Sequence, residues 1–169
     1  NGGYGNYNGF GYNGYGNISS LGDMNLKAAG MSIGEGVSIS SGGSVQLAIS
    51  GGLYNAGGQL TAVDSLRINA AELDNRGTFG SAGSLLVDAS SLYNQGLLFS
   101  GDDMTLYSDS LTNRYGDIYS LGDLSVSKNA DGEQASLLEN RSGSIESGGD
   151  MSLHALLLEN RKERFAVGS

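Results

Sequence analysis

The chain has no cysteine, no proline and no tryptophan. Without cysteine there is no disulfide framework, no thiolate nucleophile and no thiolate-held metal. Abundant Gly, Ser and Asn without proline can mean disorder. Charge is sparse at 16% of residues, and nine Lys and Arg stand against eighteen Asp and Glu. A net charge of −9 argues against a nucleic-acid partner, because phosphate contacts need clustered Lys and Arg. No apolar run approaches the ~20 residues of a membrane-spanning helix.

What is abundant is Gly (29 of 169 residues), with Ser and Asn. These are interleaved with Leu, Ile, Val, Met and Tyr in short alternating runs, the signature of many short strands. The runs repeat. A Leu-x-Asn phrase ends on Asn55, Asn75, Asn94, Asn113, Asn140 and Asn160, at steps of 20, 19, 19, 27 and 20. An apolar column lies ahead of it at Ile18, Ile39, Leu60, Phe79, Leu98, Ile118 and Ile145. Six residues after each comes Met24, Val45, Leu66, Leu85, Met104, Leu124 or Met151. Two further on comes Leu26, Leu47, Ile68, Val87, Leu106, Val126 or Leu153.

One repeat therefore reads as strand, Gly/Asp turn, strand, short bend, Leu-x-Asn strand, Gly turn. So short a unit cannot bury its apolar face alone and must stack on its neighbours. The expected fold is all-β, a right-handed parallel β-helix of about seven coils. Stacked strands ~4.8 Å apart make it a rod roughly 34 Å long. The spacing of a leucine-rich repeat, the main rival at this period, is absent.

The Asn column is read as an inward ladder, each carboxamide bonding the next, starting at Asn55 because Ile33 holds the place before it. Its alternative is ligand binding. The turn glycines are read as residues that tolerate positive φ. Arg76, Arg114, Arg141 and Arg161 follow four of the Asn, and Asp74, Glu139 and Glu159 precede three. These should be outward surface charges, open to pairing between coils and worth little individually, with a carbohydrate- or receptor-binding stripe as the alternative.

Two places break the regularity. Residues 1–15 are rich in Gly, Tyr and Asn and read as a flexible lead-in or an irregular coil. Their Gly9-x-Gly11-x-x-Gly14 is no dinucleotide fingerprint, because no βαβ context surrounds it. Near 128–135 extra residues should protrude as a polar loop or hairpin. Lys128, Asn129, Asp131, Glu133 and Gln134 form a candidate interaction loop, with a functionless insertion as the alternative.

Catalytic, metal and cofactor sites are not evident. His154 is the sole histidine and should face outward. Asp64, Asp88, Asp102, Asp103 and Asp109 are the candidates for polysaccharide-lyase or hydrolase chemistry, and no shared groove is inferred for them. The turn carboxylates Asp23, Asp123 and Asp150 lack a repeated calcium nonapeptide. Asn17-Ile18-Ser19 and Asn140-Arg141-Ser142 match the glycosylation sequon only weakly.

Gly57-Gly-Gln-Leu-Thr-Ala, Leu73-Asp-Asn-Arg-Gly77, Ser147-Gly-Gly-Asp-Met-Ser-Leu153 and Leu158-Glu-Asn-Arg161 resemble the haemagglutinin repeats of filamentous-haemagglutinin-like exoproteins. The resemblance covers residues 16–165. It implies a right-handed β-helical shaft, secreted to the outer surface of a Gram-negative bacterium through an outer-membrane two-partner secretion transporter. It leaves open an adhesin or the toxin-delivery stick of contact-dependent growth inhibition, with a target-cell receptor or carbohydrate as partner. The export domain of such proteins carries an Asn-Pro-Asn segment that a proline-free chain lacks. The functions carried forward are a spacer shaft, a shaft that itself binds carbohydrate or surface protein, and a lyase-type enzyme. The tail from Asn160 to Phe165 departs from the repeat, with 166–169 as a boundary to a following segment. An isolated 16–165 fragment is expected to associate end to end, because coils at Ile18 and Leu153 expose strand edges.

Overall fold

The computed structural model describes residues 5–14 and 16–163. The tail calls at 164–169, and the lead-in at 1–4 and 15, lie outside the described residues. All described regular structure is strand. Every strand pair is parallel, and the pairs form a twelve-strand sheet and a seven-strand sheet. The chain is a parallel β-solenoid.

The three apolar columns are in register. Ile39 pairs with Leu60, Leu60 with Phe79, Phe79 with Leu98 and Leu98 with Ile118 in the seven-strand sheet. Leu66, Leu85, Met104 and Leu124 follow one another in the twelve-strand sheet. The interior members of these columns are buried. Each strand alternates inward and outward until the phase slips. In Met24–Ile33 both Ala28 and Met31 face inward; in Ser84–Asn94 both Ala89 and Leu92 do. An inward step of three cannot be met by a straight strand, whose side-chain period is two. The strand therefore turns a corner there, and the twelve-strand sheet wraps two sides of the core.

The solenoid begins one rung earlier than the apolar columns indicate, and it has about eight turns. Gly5–Gly14 is a strand paired along its length with Met24–Ile33. Gly5 and Gly9 stand at core-facing places, and Tyr7 and Tyr12 pack against the core instead of aliphatic residues. The two rings meet edge to face at 5.2 Å. Burial, with the Tyr7 phenol beside it, pushes the Tyr12 hydroxyl above its ordinary pKa. The expected N-terminal edge at Ile18 consequently applies to the seven-strand sheet only. At the other end Met151 and Leu158 are 42% and 54% exposed, a rung with its apolar face uncovered.

Most turn glycines do not serve as expected. Positive φ among the described glycines occurs at Gly36, Gly57 and Gly132. At the stacked turns the reason is space. A Cβ on Gly77 would lie 2.1 Å from the Gly58 carbonyl oxygen, and one on Gly83 would lie 1.8 Å from that of Asp64. Successive coils bring backbone against backbone there, and only hydrogen fits.

Candidate functional site

The Asn column forms one continuous chain of hydrogen bonds. The Nδ2 of Asn55 donates to Asn75 Oδ1 at 3.0 Å; Asn75 to Asn94, Asn94 to Asn113, Asn113 to Asn140 and Asn140 to Asn160 follow at 2.9 Å each. Each Nδ2 from Asn55 to Asn140 also donates to a glycine carbonyl in its own turn, for example Gly58 and Gly116 at 3.0 Å. The Oδ1 atoms of Asn55, Asn75 and Asn94 accept backbone N–H groups of the same turns. The carboxamide is the right group because it donates and accepts at once. Asn55, Asn75, Asn94 and Asn113 are fully buried, so none of these four presents a surface to a ligand.

The turn carboxylates repeat the same logic outside the core. Asp23, Asp103 and Asp123 accept the backbone N–H of Ser44, Asp123 and Asp150 in the next coil at 2.8–2.9 Å. Among the described residues no three His, Asp or Glu gather as a metal site would require. Of the lyase candidates, Asp64, Asp102 and Asp103 lie at turns between the sheets, Asp88 on a strand and Asp109 at a corner. The fold does not bring them together. Asp109 is spent locally, accepting both the N–H (3.1 Å) and the hydroxyl (2.8 Å) of Ser136.

The charges beside the ladder pair between coils, as expected, but Glu139 leaves the expected surface row. Glu139 is only 9% exposed. It is held by Arg141 of its own coil and by Arg161 of the next, at 3.5 Å. Glu163, which sequence reasoning missed, joins Arg114 (2.8 Å) to Arg141 (3.5 Å). Hydrogen bonds that Arg114 donates to Glu163 and Tyr93 raise the pKa of its guanidinium. Two arginines and Glu163 thus lace separate coils. Arg76 and Asp74 remain a local, half-exposed pair.

The inserted loop is the main irregularity on the shaft. Ser127 and Ala135 frame it, and Lys128–Gln134 project, mostly exposed. Ala135 is a correction to the expected loop: it is buried and bridges to Ala155, so it belongs to the core. The loop holds its own shape. Lys128 N–H donates to the Glu133 carbonyl at 2.7 Å, and Asn129 Oδ1 accepts the N–H of Asp131 and Glu133 at 3.1 and 3.3 Å. Removing 128–134 would leave Val126-Ser127-Ala135-Ser136-Leu137-Leu138, the spacing of Leu106-Tyr107-Ser108-Asp109-Ser110-Leu111. The deletion is therefore expected to keep the fold, with a melting temperature within a few degrees of the parent; loss of cooperative melting would contradict this placement.

Asp109 anchors the far base of that loop. Its bonds to Ser136, the largest influences, and nearby Lys128 hold its carboxyl below the ordinary pKa. A folded-state pKa below the unfolded one gives stability that is present above the unfolded value and lost as pH falls through the folded one. The Ser136 anchor is expected to loosen below roughly pH 4. NMR of the Ser136 amide should show a transition there that Asp109→Asn abolishes.

Among the concave outer surfaces of the described residues, two lie on the sheet faces away from the Asn row. One lies on the seven-strand sheet, about 630 Å³, lined by small residues including Ser40, Thr61 and Gly80 with Phe99 at one end. Phe99 stacks on Tyr119 at 5.9 Å. The other, about 260 Å³, lies between the inserted loop and the outer face of the twelve-strand sheet, where His154 sits. His154 is exposed, as its alternation implies, and its Nε2 is 2.9 Å from Ser152 Oγ.

Compared with known protein families, the chain matches the haemagglutinin repeat twice, over residues 12–79 and 80–155. The chain belongs to the haemagglutinin-repeat family. The two matches account for most of the solenoid, including part of its tyrosine-rich first rung. No curated protein and no solved structure matches it. Haemagglutinin repeats build the shafts of adhesin-type filaments.

Proposed function

We propose that this chain is a length of shaft in a secreted cell-surface filament, holding an adhesive, receptor-binding or toxin module away from the cell. The observation that carries the proposal is the unbroken stacking. Each apolar column and the Asn row run from coil to coil in register, and turn carboxylates bridge some of the coils. Such a body is stiff along its axis and adds reach with every repeat. Its candidate carboxylates are scattered, which suits a spacer better than a lyase. Membership of the family supports export through an outer-membrane two-partner transporter of a Gram-negative bacterium, and the absence of cysteine suits a chain that folds only after crossing.

The experiment is replacement. Residues 16–163 of the parent exoprotein are exchanged for an unrelated β-solenoid of equal length. Surface display and adhesion or toxin delivery should persist. Display with adhesion lost would show that the shaft's own surface makes the contact.

A further inference from the structure

We propose that the outer face of the seven-strand sheet pairs side by side with the same face of a second copy, the two rods running in opposite directions. The register builds this face. Ser19, Ser40, Thr61, Gly80, Phe99 and Tyr119 stack in one outward column, one residue per coil. Small residues fill the start of the column and rings fill its end. Phe99 and Tyr119 stack at 5.9 Å into a ridge. The small residues leave the depression of about 630 Å³ beside it.

The column is complementary to its own reverse. A two-fold axis along the strands, between Thr61 and Gly80, reverses the order of the coils and sets each column against itself. Ser19 then faces Tyr119 of the second copy, Ser40 faces Phe99, and Thr61 faces Gly80. Every ring meets a small residue, and each ridge lies in the other copy's depression. Rods running in the same direction would set ring on ring and leave the small half open.

The neighbouring turn row obeys the same symmetry. Leu21, Val63 and Leu121 each come one residue after a strand of this sheet, and they are 83%, 53% and 51% exposed. The axis brings Leu21 against Leu121 and Val63 against Ala82. Scattered surface leucines are ordinary, but a row of apolar residues beside an uncharged face marks a contact.

Charge points to a copy of this chain. At a net charge of −9 two copies repel over most of their surfaces. The outward residues from Ser19 to Phe99 carry no charge. Asp117 would face Asn17. Glu146 lies past the end of the pairing, because among the described residues no strand of this sheet precedes Ile18–Ser20. Asp64 and Asp102 follow the turn row and stay at its rim. A strip about 29 Å long buries less than the ~1,200 Å² of a stable complex, so the affinity should be weak, with Kd on the order of 0.1 mM. This pairing goes beyond the shaft reading, since a spacer can stand alone or lie against another.

Sedimentation equilibrium of the full chain should show a reversible dimer. Thr61→Glu puts a carboxylate at the centre of the face and should weaken the dimer at least tenfold. Thr105→Glu, outward on the other sheet, should weaken it less than twofold. Association through strand edges at the rod ends would respond to neither. Cross-linking reads the direction, and it decides alone if thermal melting shows that Thr61→Glu does not fold. Ser38 faces Leu97 of the second copy, whereas the two Ser38 residues lie three coils, roughly 14 Å, apart along the axis. Mixed Ser38→Cys and Leu97→Cys chains should therefore join through a short bis-maleimide, and Ser38→Cys alone should not. A monomer at every concentration, an undiminished dimer of folded Thr61→Glu, no mixed cross-link, or Ser38→Cys joined to itself would overturn the proposal.

Discussion

Asn94→Ala is expected to destabilise the solenoid by about 3 kcal/mol, among the largest single-residue losses available in this chain. Asn94 is completely buried. Its Oδ1 accepts from Asn75 at 2.9 Å, and its Nδ2 donates to Asn113 at 2.9 Å and to the carbonyls of Gly96 and Asp117 at 3.2 Å. Alanine removes these bonds and also breaks the row, leaving the Asn113 Oδ1 without its ladder donor. Asn94→Asp should cost more. It sets a carboxylate against three acceptors in a dry interior, where an unpaired charge is most expensive. Burial raises that carboxyl's folded-state pKa above the unfolded value. The folded protein then binds the proton more tightly, so the Asp variant should gain stability as pH falls and lose it as pH rises through the raised value. Chemical denaturation across pH measures both effects. An Asn94→Ala loss below about 1 kcal/mol would mean the ladder bonds add little.

Gly96→Ala is expected to cost about 3 kcal/mol, although alanine normally strengthens a strand-rich chain. The added Cβ would stand 2.0 Å from the Gly77 carbonyl oxygen of the preceding coil. Neither backbone can withdraw without breaking the Leu97 N–H bond to that same oxygen, 2.8 Å long. Gly52→Ala is the control, since a Cβ there meets nothing within 4 Å and its φ is ordinary. It should be neutral, or stabilising by about 0.5 kcal/mol through the unfolded chain. Equal effects at both sites would show that glycine acts here through conformational freedom and not through coil spacing.

The columns at Ile39, Leu60, Phe79 and Leu98 are legible from sequence because a buried stack demands an apolar residue at the same place in every coil. The Asn positions are legible for the same reason, as a repeated polar group that stacking can satisfy. Other features escape this logic. The first rung escapes because glycine and tyrosine occupy its core-facing places, so the aliphatic alternation is missing. The glycines at 77, 83 and 96 are visible, but their cause is distance to another coil, which no local pattern encodes. Glu163 sits where earlier coils have glycine, as at Gly116 and Gly143, so it reads as a departure and not as a partner for Arg114. The cleft beside His154 joins residues from three coils and a loop. Only the loop is legible in the sequence, and its last residue, Ala135, is core.

The register of the stack is the claim on which the shaft, the ladder and the self-pairing face all depend. A chain without cysteine allows it to be tested by paired substitutions and oxidation. Ser40 pairs with Thr61, and Tyr119 with Glu146 across the insertion. Neighbouring parallel strands lie ~4.8 Å apart, within disulfide range, whereas two coils are roughly twice that and beyond it. Ser40→Cys/Thr61→Cys and Tyr119→Cys/Glu146→Cys should each form an intramolecular disulfide in the folded protein, and Ser40→Cys/Gly80→Cys should not. Cross-linking of the Ser40/Gly80 pair, or failure of both in-register pairs, would contradict a parallel solenoid with this register.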